Sequence, residues 1–366
     1  MWSIWLISDM SLTVRRISSA EHLAYLASHP QVPLRQTPGW ARGFESSRTE
    51  SIGWFEGDRL IGAGLVRYRG LPRLPMRTVA VLAGGPDIDW TGKRRPGCSL
   101  SDWLEPLSEL LRDQGAISVR VSPEVVQQDW WAVDPDQRAQ GSEIQLHQNG
   151  DDRWEYRRTE QRLIEAGWQR VEPLPAECTA EVMVAGGNAL RRINHLASSD
   201  ALSTGYRVRA GSAEELPSVH RAITDVHQGI PTPGLRRLAS GWQGLAAESP
   251  GSVKLLVVEQ QGEPLYGGLV AVSGNRAWDL SGVLPQPHAD RPEVQALRAH
   301  LIAHTAMTGS RSLVIPTLAT DPSSSIRMPA PGWPPTQLRR MIGTWQFPLR
   351  TNWHTALAAV VDRLHL

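Results

Sequence analysis

The chain reads as a mixed α/β protein of the α+β kind, with two similar domains that each hold a mostly antiparallel sheet flanked by helices. Three observations predict this. Gly57-Asp58-Arg59-Leu60-Ile61-Gly62-Ala63 is echoed by Gly262-Glu263-Pro264-Leu265-Tyr266-Gly267-Gly268, a spacing far beyond the few tens of residues of a solenoid repeat. Apolar strand-like runs flank each copy, at 52–55 and 65–68 and again at 255–258 and 269–272. Each copy is therefore a hairpin whose tight turn pairs a glycine with an acid. Helical and strand-like stretches also alternate through both halves, the pattern of a layered α and β domain. The 366 residues suffice for two domains with a core each.

In chain order, Ser18 or Ser19 caps a short helix. After a proline-marked break, a second helix begins within Gln36-Thr37-Pro38-Gly39-Trp40-Ala41-Arg42-Gly43-Phe44, and the first hairpin then runs to Tyr68. Residues 79–82 make a short buried strand ending in Ala83-Gly84-Gly85-Pro86-Asp87, a segment only a turn accommodates. A polar loop over 91–100 leads to a helix with Trp103, Leu104, Leu107, Leu110 and Leu111 on one side. A strand over 115–121 follows. The polar stretch 127–152, broken by Pro135, Gly141 and Gly150, reads as an inserted loop. A helix over 157–167 stops at Gly167, and a strand leads into 181–184.

The order then restarts: helix 187–198, strand 206–209, helix 213–225 and the second hairpin. Strand 278–283, helix 292–308 and strand 312–315 come next. A Pro- and Ser-rich loop over 316–335 is expected to cover a site, and a helix over 348–366 closes the chain. The expected division is 11–178 for the first domain and 179–344 for the second, with 345–366 packing back on the first.

Composition narrows the function. A net charge of +1 gives no global basic field for nucleic acid, although local patches remain open. Almost all the basic residues are arginine, the lysines being Lys93 and Lys254. Arginine forks onto phosphate or carboxylate but does not shuttle protons. Cys98 and Cys178 make neither a disulfide framework nor a metal site. His300 and His304 have metal-ligand spacing but lack the companion Glu. The apolar opening 1–8 is too short to span a bilayer and lacks the charged start of a signal peptide. A cytoplasmic, monomeric protein with no membrane span is expected.

An ordered series of short motifs follows the chain. It comprises Gln36-Thr37-Pro38-Gly39-Trp40, Gly85-Pro86 with Asp87 and Asp89, and Gly115-Ala116-Ile117 through Arg120 and Pro123. It continues with Leu163 and Gly167-Trp168, Thr179, Arg191-Arg192-Ile193, and Thr224 with His227 and Gly229-Ile230-Pro231. It closes with Gly343-Thr344-Trp345 and Pro348-Leu349. From about Gln36 to His354 this series resembles the Fem aminoacyltransferases, which build peptidoglycan interpeptide bridges from aminoacyl-tRNA.

The resemblance implies two N-acetyltransferase-like (GNAT-like) domains in tandem, which accounts for the repeat. It also implies aminoacyl transfer from aminoacyl-tRNA, a co-substrate rather than a cofactor, to a primary amine. That amine belongs to a peptidoglycan-precursor peptide or to a natural product such as an antibiotic. Three departures concern the acceptor side. Leu338-Arg339 stands where the family has Phe-Lys, Ser312–Pro316 lacks the family's acid, and Trp278-Asp279-Leu280-Ser281-Gly282 replaces an aromatic before Gly-Ala-Ser. Two other classes remain open. One is an acyl-CoA-dependent N-acyltransferase, although neither 91–103 nor 285–293 carries the glycines of a pyrophosphate loop. The other is a non-catalytic binding member.

An aminoacyl ester is already activated, so the enzyme must place an amine, remove a proton and stabilise an oxyanion. Candidate catalytic residues are Arg339 for electrostatic stabilisation and Asp279, His227 and Asp87 for the proton; such acids equally suit turns. Candidate substrate-binding residues are Gln36, Trp40, Asp89, Arg191, Tyr266 and Trp278, the tryptophans by stacking on a base or sugar. Arg67, Arg69, Arg73 and Arg77 alternate after the first hairpin, with Lys93, Arg94 and Arg95 beyond, a pattern suited to tRNA phosphates or to a solvated sheet edge. The reaction is expected in the cleft beside the second hairpin.

Overall fold

The computed structural model describes residues 12–44, 47–71, 74–131, 147–148, 153–171, 178–184, 205–227, 234–280, 291–317 and 336–350. The helix expected over 187–198, the closing helix beyond residue 350, most of the 316–335 loop, and the candidates Arg73 and Arg191 lie outside the described residues.

The first sheet contains β1 (Thr13–Arg16), β2 (Arg48–Glu56), β3 (Arg59–Leu71), β4 (Leu74–Leu82), β5 (Ala116–Val121), β8 (Gln169–Val171) and β16 (Thr344–Pro348). Their order across the sheet is β1-β2-β3-β4-β5-β16-β8. The second contains β6 (Val126–Trp131), β7 (His147–Gln148), β9 (Cys178–Met183), β10 (Arg207–Gly211), β11 (Val253–Gln260), β12 (Glu263–Ser273), β13 (Arg276–Asp279), β14 (Ser312–Thr317) and β15 (Thr336–Met341). These run β10-β11-β12-β13-β14-β9-β15-β6-β7.

The repeated phrase forms the turns of the β2–β3 and β11–β12 hairpins. Gly57 (φ 57°) and Gly262 (φ 87°) both take the left-handed conformation that a residue with a Cβ resists. A register shift precedes each turn, at Trp54/Phe55 and at Val258/Glu259. The likeness extends to five strands per sheet. In each, antiparallel neighbours end in a parallel pair, β4 with β5 and β13 with β14. The helices Leu100–Asp113 and Pro292–Met307 make the two crossovers, as parallel pairing requires.

Beyond the fifth strand the halves interleave. The neighbour of β5 is β16, which follows the second sheet's last strand, and β14 is flanked by β9. Strands β6 and β7 precede residue 178 yet lie in the second sheet. The stretch read as a loop over 127–152 therefore contains two strands. Its polar run Gln127-Gln128-Asp129 hides β6, whose backbone is satisfied by pairing with β15. The helix Leu235–Glu248 was also missed, although Leu235, Leu238, Trp242 and Leu245 follow helical spacing.

Each sheet has its own core. Trp54, Trp103, Leu104, Leu107 and Leu111 fill the first, beneath the helix Leu100–Asp113. Tyr266, Leu269, Val270, Leu297 and Leu301 fill the second, which also recruits Leu34 and Trp40 from the first half. The short helix Pro38–Ala41, capped by Thr37, lies on the helix Leu235–Glu248 with glycines at the crossing. A Cβ on Gly39 would come within 2.9 Å of the Gly244 carbonyl oxygen, and one on Gly241 within 3.2 Å of the Trp40 ring. This close approach sets the 30–44 segment between the two sheets.

Candidate functional site

Strand alternation sorts the second sheet into two faces. Ala277, Leu313, Val182, Ala180 and Leu338 enter the core. In register with them, Arg276, Ser312, Glu181, Gln337, Arg339 and Asp129 share the opposite face. Glu181, 6% exposed, is the hub of that face. It accepts a hydrogen bond from Ser312 Oγ at 2.6 Å and pairs with Arg339 Nη1 at 2.5 Å and Arg276 Nε at 3.2 Å. Arg339 Nη2 donates to Gln337 Oε1 at 2.6 Å, and Gln337 Nε2 donates to Asp129 Oδ2 at 2.7 Å. A carboxylate so buried needs this pairing, since an unpaired one would cost several kcal/mol.

Against this face stand two pieces of the first half. The 30–36 segment abuts the β12–β13 turn, where Asn275 N–H donates to Pro30 O at 3.5 Å and Arg276 Nη1 to Gln31 O at 3.3 Å. The other piece is Glu124, between β5 and β6, flanked by buried Pro123 and Val125. Glu124 lies 3.5 Å from Arg276, with 30% of its side chain open to solvent. It is thus open to solvent. Desolvation pushes its carboxyl up to about 7, Glu181 adds to the rise, and Arg276, Arg35 and Arg339 pull against it.

Arg35 also belongs to a second group. Arg67 and Arg69 stand two residues apart on one face of β3, and Arg237 lies in the first turn of the helix Leu235–Glu248. All four arginines are partly buried. Burial and then the neighbouring guanidiniums lower Arg67 to about 10, through Arg69, Arg237 and Arg35. Arg237 is likewise lowered to about 10 by burial, Arg35 and Arg69. Arg35 is lowered by burial, with Glu124 opposing.

The other sequence candidates fall elsewhere. Asp87 is held by the Tyr25 hydroxyl at 2.6 Å and Arg94 at 2.7 Å. Asp89, buried, accepts N–H groups from Gly92, Lys93 and Arg95 and so shapes the 89–95 loop. Lys93, Arg94 and Arg95 are paired with Glu155, Asp87 and Glu56. Gln36 is fully committed to backbone: Nε2 donates to Ala83 O and Oε1 accepts from Leu65 N–H. Trp40 packs in the second core with Arg237 over its ring at 5.7 Å.

Tyr266 and Asp279, 2% and 6% exposed, lie on the core face, opposite to Arg276. Trp278 shares a sheet face with Arg276, and Arg77 is half-buried on β4. His227 ends the helix Leu216–His227, its side chain outside the described residues. Of the catalytic candidates, Arg339 is the one that pairs with Glu181, on the sheet face that also carries Arg276. Glu124, Glu181, Arg276, Arg35 and Arg237 were not singled out from the sequence.

Neither a family model nor a curated protein matches the chain by sequence. Among solved structures it superposes on FemX with a TM-score of 0.68 at 14% identity, covering 94% of this chain and 99% of that one. The chain has the FemX fold. A tandem GNAT protein from the clavulanic acid biosynthesis pathway overlaps more loosely, with a TM-score of 0.47 at 12% identity over 92% of this chain and 98% of its own. In this fold the second sheet carries Arg276 and Arg339, with Glu124 beside Arg276. Among the described residues no helix is long and apolar enough to cross a membrane, and no group of His, Cys, Asp or Glu is arranged to hold a metal ion.

Proposed function

We propose that this protein transfers an aminoacyl group from aminoacyl-tRNA to a primary amine, within the cleft between the two sheets. The acceptor is a peptidoglycan-precursor peptide or the amine of a natural product. The observation that carries this reading is Glu124, a solvent-reached carboxylate 3.5 Å from Arg276, which shares Glu181 with Arg339. The fold and the motif series supply the reaction class. In the step, the neutral amine attacks the ester carbonyl and Glu124 takes a proton from the nitrogen. The oxyanion forms beside Arg339, and as the carbonyl re-forms the ribose oxygen leaves with the proton that Glu124 took. An arginine in the place of the family's lysine keeps the charge but cannot pass a proton. That leaves the proton to Glu124. Glu181 holds Arg339 and Arg276 in place while 23% of the Arg339 side chain stays open to the cleft.

The purified protein, incubated with charged tRNAs and a panel of amines, is expected to give tRNA-dependent amide product. The rate should rise as pH increases through about 7, where Glu124 loses its proton, and then rise less steeply until the acceptor amine is itself neutral. Glu124→Gln should lower kcat about 10²-fold or more, with the far-UV circular dichroism unchanged. Product formed from acetyl-coenzyme A and not from charged tRNA would replace this reading with the coenzyme A-dependent one. Absence of product from either donor would support a binding role.

A further inference from the structure

We infer that Gln337 is a positioning residue: it holds the Arg339 guanidinium and keeps the negative charge of Asp129 one side chain away from it. This rests on the reading of Arg339 as the group beside the oxyanion, and adds what prepares that arginine for the role.

The placement follows from strand geometry. Gln337 and Arg339 alternate on β15 and so share a face. Across the ladder Gln337 lies opposite Glu181 of β9, and Arg339 lies opposite Asp129 of β6. The bonds run diagonally instead, which long side chains on a sheet can reach. Arg339 Nη1 pairs with Glu181 Oε2 at 2.5 Å, and its Nη2 donates to Gln337 Oε1 at 2.6 Å. Gln337 Nε2 in turn donates to Asp129 Oδ2 at 2.7 Å. Both ends of the Arg339 fork are thus bonded, while 23% of its side chain stays open.

Only one orientation of the amide satisfies this chain. Arginine has no acceptor, so the amide must offer it oxygen. An ionised Asp129 has no donor, so the amide must offer it N–H. Reversing the amide would set N–H against N–H and oxygen against oxygen. Gln337 and Asp129 are 7% and 8% exposed, too buried for water to repair such a mismatch.

Grip alone does not call for an amide. A carboxylate at 337 would also accept from Arg339, and charge-assisted bonds are the stronger ones. It would, however, put a second carboxylate in contact with a guanidinium that Glu181 already pairs. Coulomb attraction weakens with distance, so a charge in contact weighs on Arg339 more than the same charge held behind an amide. A developing oxyanion is stabilised by the positive charge that remains available to it. A neutral amide holds the fork without cancelling that charge.

An exchange of partners separates the two roles. Gln337→Glu combined with Asp129→Asn conserves the net charge and the bonds of residue 337, because the amide at 129 then donates to the carboxylate. Only the negative charge moves, into contact with Arg339. Asp129→Asn alone, whose amide oxygen still accepts from Gln337, is the reference for position 129.

The test uses full-length protein with the amine and the donor, charged tRNA or acetyl-coenzyme A, that give product in the panel. In parallel, nitrogen NMR of protein with isotope-labelled arginine follows Arg339, assigned by the loss of its signals in Arg339→Lys. A fork bonded at both ends turns slowly and keeps its Nη signals apart. Gln337→Ala should merge those signals and lower kcat about tenfold or more. The double variant should keep them apart, yet lower kcat about tenfold against Asp129→Asn with KM for the donor within about twofold. Circular dichroism checks folding; should Gln337→Ala unfold, the double variant decides. A double variant as active as Asp129→Asn would overturn the charge role and leave Gln337 a structural residue. Separate signals in a folded Gln337→Ala would overturn the hold. If the unmodified protein forms no product from either donor, the transferase reading falls, and the Arg339 signals still decide whether Gln337 holds that fork.

Discussion

His22 shows how one buried residue couples stability to pH. Its ring is fully buried, with Nδ1 2.8 Å from Ser51 Oγ. Burial lowers its pKa from 6.5 to about 4. The folded state therefore binds this proton more weakly than the unfolded chain. The stability it protects is complete above about pH 6.5 and is lost as pH falls toward 4, by at most about 3 kcal/mol. His22→Gln should be less stable at pH 7.5 but show a flatter pH dependence of urea unfolding between 6.5 and 4.5. Equal slopes for the two proteins would contradict this. Glu124 behaves in the opposite sense: its raised pKa means that stability is lost as pH rises from about 4.5 to about 7. A group that costs stability at working pH while facing a cleft is what a catalytic base requires.

At the scale of elements, the contact that matters most for the cleft is the glycine crossing between the helices Pro38–Ala41 and Leu235–Glu248. A Cβ at Gly244 would overlap the Gly39 carbonyl oxygen and come within 2.9 Å of Arg42 Cβ. Ala is the better helix former by about 1 kcal/mol, so propensity alone predicts that Gly244→Ala stabilises. Overpacking against backbone works the other way by about 1–3 kcal/mol, and here neither partner can rotate out of reach. We expect net destabilisation in chemical denaturation, with a lower kcat/KM because Arg237 and Arg35 shift together. A more stable variant with unchanged activity would show that the crossing tolerates the methyl group.

At the scale of the whole molecule, the interleaved strands tie the halves together. The first sheet needs β16, which follows the second sheet's β15, and the second needs β6, which precedes residue 178. Unfolding either sheet strips hydrogen-bonded neighbours from the other. Calorimetry should therefore show one cooperative transition. Two resolved transitions that each survive removal of the other half would refute this coupling. The same interleaving places Glu124: it sits where the chain leaves β5 of one sheet to enter β6 of the other.

The local signals were legible. Turn glycines at positive φ, period-two alternation in the hairpins and the amphipathic crossover helices all depend on near neighbours in the chain, and they sufficed to read two α+β units. Arg339 was legible as a charged residue at a motif position. Glu124 was not, because in Ser122-Pro123-Glu124-Val125 nothing local separates it from a solvated loop acid. Arg35 and Arg237 stood unmarked for the same reason. By itself the sequence determined the doubled unit, since turn chemistry and strand alternation are short-range properties. Which sheet each lone strand joins, and which charges then meet in the cleft, was decided by the tertiary structure alone. Strand pairing and charge proximity there join residues far apart in the chain, so their energies exist only once the backbone is folded.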